Sequence, residues 1–69
     1  MKDFILVRDA LTNELMIIRK SMICSVENCL KDKKSVRRIN YIDCRTPEYV
    51  SDSLLDIMNE LKTGVDTGI

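Results

Sequence analysis

The chain has 69 residues, 45% of them hydrophobic and 32% charged, with eleven basic side chains balanced by eleven acidic ones and no histidine. At this length it is one domain at most, burying only about 60% of the surface its unfolded form exposes, and its composition is that of a folded protein rather than a disordered one. The even charge balance excludes a long-range field that would gather polyanions or anionic lipid. The missing histidine excludes serine–histidine and cysteine–histidine catalytic pairs and removes the commonest metal ligand.

The opening "MKDFILVRD" carries an apolar run too short for a signal peptide, broken by Arg8 and Asp9, and no segment approaches the roughly 20 apolar residues that span a bilayer. A cytoplasmic protein with no membrane partner is expected. "FILVRD", residues 4–9, reads as a strand, and Thr12 and Asn13 supply turn residues after it. "LMIIRK", residues 15–20, is the returning strand. After a break near Ser21, "MICSVENCL", residues 22–30, is a further extended segment. A helix through the same region is the rival reading, because Leu11, Leu15, Ile18, Met22, Val26 and Cys29 also fall at helical spacing. The β-branched content, and the apolar surface that Met16, Ile17, Ile23 and Cys24 would spread around such a helix, favour strands.

"KDKKSVRR", residues 31–38, concentrates five of the eleven basic residues, Lys31, Lys33, Lys34, Arg37 and Arg38, with only Asp32 opposing them. A local excess of this kind is what a phosphate backbone rewards through counterion release. It splits, however, into a charged hairpin tip over residues 31–35 and the start of the strand "VRRINYID", residues 36–43. Alternation along that strand places Ile39 and Tyr41 on one face and Arg38 and Asn40 on the other, so Arg37 and Arg38 point apart. Tyr41 is the only aromatic close by in sequence, which leaves no stacking platform for bases. A solvated tip that discourages edge-to-edge pairing is the plainer explanation.

The C-terminal part changes period. Leu54, Ile57, Met58 and Leu61 fall at i, i+3, i+4 and i+7, which predicts an amphipathic helix. Its start has two readings: Ser51 as N-cap with Asp52 in the first turn, or Thr46 as cap with Pro47 at the first helical position. Residues 46–50 are accordingly either a strand or the first helical turn. Gly64 ends the helix, giving a single α+β domain over residues 1–63, in which one small antiparallel sheet of four to five strands carries the helix on one face, and a flexible tail over 64–69.

The order "FILVRD", "LTNELMII", "MICSVEN", "RINYID" and "EYVSDSLLDIMNEL" resembles small bacterial and phage proteins of the FlbD-like type. Their pattern is strand, turn, strand, an isoleucine-rich start to the next strand, a hairpin, and a "valine, polar, polar, serine" lead into an acidic amphipathic helix. The resemblance spans residues 4–61 and implies a short strand over 46–50 with Ser51 as cap. Two departures stand out: Pro47, which demotes that strand to an edge, and Cys44-Arg45, where an Asp-Gly turn is usual. The resemblance implies little about function, some members being encoded with flagellar genes and others in phages and mobile elements.

No glycine-rich nucleotide cradle is present, both glycines lying near the C-terminus. Cys24, Cys29 and Cys44 are odd in number and wrongly spaced for a zinc knuckle, which fits free thiols. Asp52, Asp56 and Glu60, one helical turn apart, form a candidate acidic docking face, and Met16, Met22 and Met58 read as core filler. Strands one and two are apolar at consecutive positions, whereas one helix covers only one sheet face, so a homodimer or an unknown protein partner is expected. The expectation is therefore a non-enzymatic interaction or accessory protein without cofactor or metal. The alternative is a weak nucleic-acid-binding or regulatory protein using Lys31, Lys33, Lys34, Arg37 and Arg38.

Overall fold

The computed structural model describes residues 3–63. Five strands precede one helix: β1 (Phe4–Arg8), β2 (Leu15–Arg19), β3 (Ile23–Lys31), β4 (Lys34–Tyr41), β5 (Glu48–Val50) and α1 (Leu54–Thr63). The fold is α+β and every strand pairing is antiparallel. The strands divide into a two-stranded sheet, β1-β2, and a three-stranded sheet, β3-β4-β5. The expected tail over 64–69, and the helix stop at Gly64, lie outside the described residues. No helix among the described residues is long and apolar enough to cross a membrane.

The division into two sheets occurs at a 3₁₀ turn, Lys20–Met22, centred on the break expected near Ser21. Lys20 donates its backbone N–H back to the Asp3 carbonyl (2.7 Å), whereas Met22 accepts from the Ile42 N–H (2.9 Å). The chain thus leaves one sheet and joins the other within three residues. The sheets are stitched again between β1 and β5 by an isolated bridge, Asp9 to Val50. Two bonds flank it, Ala10 N–H to the Tyr49 carbonyl and Ser51 N–H to the Arg8 carbonyl, both 2.9 Å.

Strand alternation explains the core. Ile5, Val7 and Ile18 face inward from the first sheet, Ile39, Tyr41 and Val50 from the second, and Ile57 enters from the helix. The helical reading of residues 11–30 fails for the same reason: Met16 and Ile18 point in while Leu15 and Ile17 point out, which consecutive apolar residues achieve only in a strand.

The helix start corrects both sequence readings. Ser53 is the cap, its hydroxyl accepting the Asp56 N–H (3.1 Å). Ser51 is taken by β1 through its backbone N–H, which holds residues 48–51 extended. Thr46 and Pro47 precede β5 and take no part in α1.

Candidate functional site

The basic run is shaped by a two-residue turn. Only Asp32 and Lys33 lie outside the ladder, with φ of 52° and 68°. Positive φ at both central positions is the type I′ geometry, whose twist matches that of the flanking strands. The tip is therefore shorter than residues 31–35, and Lys31 and Lys34 stand directly opposite each other in the ladder. Like charges so placed repel. Lys31 Nζ lies 4.3 Å above the centre of the Tyr49 ring, a cation–π contact that draws it toward β5.

Arg37 and Arg38 diverge as alternation requires. Arg37 pairs with Val50 and turns toward the helix side of the sheet, where its Nε donates to the Asp52 carbonyl (2.8 Å) and its Nη2 to the Ser35 carbonyl (3.2 Å). Arg38 pairs with Tyr49 and, on the other face, forms an ion pair with Glu27 across β3. The Arg38 hydrogen bond holds the Glu27 carboxyl below its ordinary range, and the same partner raises Arg38 above its own. Of the five bases, Lys31, Lys34 and Arg38 thus share the outer face of the β3-β4-β5 sheet, Lys33 projects from the turn, and Arg37 is drawn away.

The aromatic nearest the basic run in sequence is not the one nearest it in space. Tyr41 is buried in the core, where desolvation pushes its phenol up. The aromatic beside the tip is Tyr49, eighteen positions from Lys31 in the chain and brought there because β5 lies along β4. Tyr49 is the partner of Arg38 in the β4-β5 ladder, a register that the local sequence does not display. Beside this face a cleft of about 310 Å³ opens between the tip, the β1–β2 loop and the segment leading into β5, lined by Lys31, Lys34, Leu11, Pro47 and Tyr49 among others. Asp9 and Asp32 also line it, so its charge is mixed.

The acidic residues do not form a row. Asp52 precedes the helix, and its Oδ1 accepts the Arg8 N–H (2.6 Å). Glu60 Oε1 accepts the Leu6 N–H (3.0 Å). These are alternate N–H groups on the edge of β1 that faces away from β2, so the two carboxylates do the work of a missing strand partner. Asp56 is exposed on the helix. The supposed docking face is therefore two edge-capping carboxylates and one solvated one.

Asp9 holds the β1–β2 loop. Its Oδ2 accepts from the backbone N–H groups of Leu11 (3.0 Å) and Thr12 (2.7 Å) and from the Thr12 hydroxyl (3.1 Å). The Thr12 N–H above all keeps this carboxyl below the ordinary range. Among the described residues no cluster of cysteine and carboxylate side chains could hold a metal ion, and Cys24, Cys29 and Cys44 are free thiols.

The first sheet exposes an apolar patch. On the outer face of the β1-β2 sheet, Leu15 is 58% and Ile17 65% exposed, beside half-buried Phe4 and Leu6. Arg8 and Arg19 flank them, the Arg19 guanidinium lying 4.9 Å over the Phe4 ring. No family model, curated protein or solved structure matches the chain.

Proposed function

We propose that this chain is a small, cytoplasmic, non-enzymatic interaction or accessory protein of the FlbD-like bacterial and phage type, acting as a homodimer. The observation that carries the reading is the exposed apolar face of β1-β2. Ile57 of the helix and Ile39, Tyr41 and Val50 of the second sheet pack on the other side, so among the described residues nothing covers Leu15 and Ile17. Sedimentation equilibrium of the purified chain tests it: a dimer at micromolar concentration is expected, and a monomer at high micromolar concentration would defeat the reading.

A second reading, weak binding of single-stranded nucleic acid, is favoured by one feature, the gathering of Lys31, Lys34 and Arg38 around Tyr49 on one sheet face. It requires affinity that falls with salt and is lost when Lys31 and Lys34 are changed to Glu. Undiminished binding by that variant, measured by fluorescence anisotropy, would remove this face from consideration.

A further inference from the structure

The parity of hydrogen bonding along β1 determines which groups of β2 are unpaired. Leu6 and Arg8 give their N–H groups to Glu60 and Asp52, on the side away from β2. The alternate residues Ile5 and Val7 therefore face β2, where their partners are Ile18 and Met16. At the strand's ends Asp9 N–H to the Glu14 carbonyl and Lys20 N–H to the Asp3 carbonyl keep the same parity. It follows that the N–H and C=O groups of Leu15, Ile17 and Arg19 point to the far edge of β2, where no strand among the described residues meets them. An open groove of about 410 Å³ runs beside this edge, with Met16, Ile18 and Tyr41 in its wall.

Edge strands in stable monomers are blunted by charges, proline, bulges or a covering element. The other long edge, β3, has such protection: a bulge between Ile23 and Ser25, Glu27 and Lys31 along its length, and contact with the helix. β2 offers Leu15, Met16, Ile17 and Ile18 in succession, with a cation only at Arg19.

We infer that β2 pairs antiparallel with β2 of a second copy about a two-fold axis at Ile17, joining the two β1-β2 sheets into one four-stranded sheet. This rests on the homodimer reading and specifies its interface. The strand is self-complementary in that register. Ile17 meets Ile17, Leu15 meets Arg19, Met16 meets Ile18, and Glu14 meets Lys20 of the second copy, a pair of opposite charges. On the outer face the central row runs Leu6, Ile17, Ile17, Leu6 and is wholly apolar, since Leu6 is already the partner of Ile17 within each copy. Slipping by two residues in one direction sets Glu14 against Ile18, and in the other Met16 against Lys20. Either slip exchanges a charge pair for a charge against an apolar side chain. A two-fold operation uses the same patch on both copies and closes, so the assembly stops at two.

Disulfide trapping tests the register. With Cys24, Cys29 and Cys44 changed to Ser, Ile17→Cys places its two Cα atoms about 5.5 Å apart, within the roughly 4.4–6.8 Å a disulfide spans. Arg19→Cys in the same background leaves the two thiols about four residues, roughly 14 Å, out of reach of each other. Oxidation is expected to yield covalent dimer from the first variant and not from the second; dimer from the second alone would overturn the register. In parallel, Ile17→Lys in the otherwise unchanged chain sets two like charges on the axis and should raise the dimer dissociation constant at least about tenfold in sedimentation. If that variant, folded by circular dichroism, dimerises as tightly as the parent, the edge is wrong and the homodimer uses another surface. If the parent itself is monomeric, the homodimer reading falls with it.

Discussion

Removing the Glu60 carboxylate separates a structural role for the acidic residues from a docking one. In the folded chain its Oε1 accepts the half-buried Leu6 N–H at 3.0 Å, 54 positions away in sequence. Glu60→Ala leaves that donor without its partner, on a stretch of the β1 edge that no strand among the described residues covers. A hydrogen bond to a charged acceptor is worth about 1.5–3 kcal/mol, and partial solvent access reduces the loss here to about 1–2 kcal/mol. Against a total stability of roughly 3–10 kcal/mol for a chain of this length, that is a large fraction. With a urea m-value of about 1 kcal/mol/M for so small a protein, the unfolding midpoint should fall by about 1–2 M. Urea titration followed by circular dichroism reads it directly. Glu60→Gln keeps an oxygen acceptor and should recover about half the loss, while Asp56→Ala, on the exposed helix surface, should stay within about 0.5 kcal/mol of the parent. Equal midpoints for Glu60→Ala and Asp56→Ala would refute the edge-capping role and restore the acidic row as a surface feature.

Three further outcomes follow from the same structure. Ile57 is 1% exposed whereas Leu55, two positions earlier, is 66% exposed, so Ile57→Ala should cost about 2–5 kcal/mol and unfold much of the population, and Leu55→Ala should change the denaturation midpoint little. Cys44 and Lys33 both hold left-handed backbone, with φ of 61° and 68°, so Cys44→Gly and Lys33→Gly should each raise stability by about 0.5–1 kcal/mol after the entropic penalty of glycine is subtracted; thermal unfolding measures both. Asp9, Asp43 and Glu27 all have carboxyls held below their ordinary range, by the Thr12 N–H, Arg45 and Arg38 respectively. Depressed folded-state values mean that these groups stabilise the fold above the unfolded carboxyl range of about 4, and that this contribution is lost as pH falls below it. Denaturation midpoints should therefore decline from pH 5 to pH 3, and Asp9→Asn should flatten part of that decline.

The elements were legible because their signals are local. Ile39 and Tyr41 against Arg38 and Asn40 show the period of two, and Leu54, Ile57 and Leu61 the helical period, whatever the rest of the chain does. The opposite directions of Arg37 and Arg38 followed from adjacency in a strand alone. The cap was misplaced for a different reason. Ser51 and Ser53 are equally good caps by residue type, and the choice fell to Ser53 because β1 claims the Ser51 backbone.

What the sequence determined by itself is the α+β class, the order of strands and helix, and the excess of apolar residues on consecutive positions of β1 and β2, which one helix cannot cover. The tertiary structure alone decided that Asp52 and Glu60 cap β1, that Tyr49 rather than Tyr41 sits under Lys31, and that the strands form two sheets stitched together at the Asp9–Val50 bridge. The physical reason is distance along the chain. Periodicity records which face a side chain takes, but a bond across 44 or 54 positions exists only once the closing of the chain has brought its two ends together.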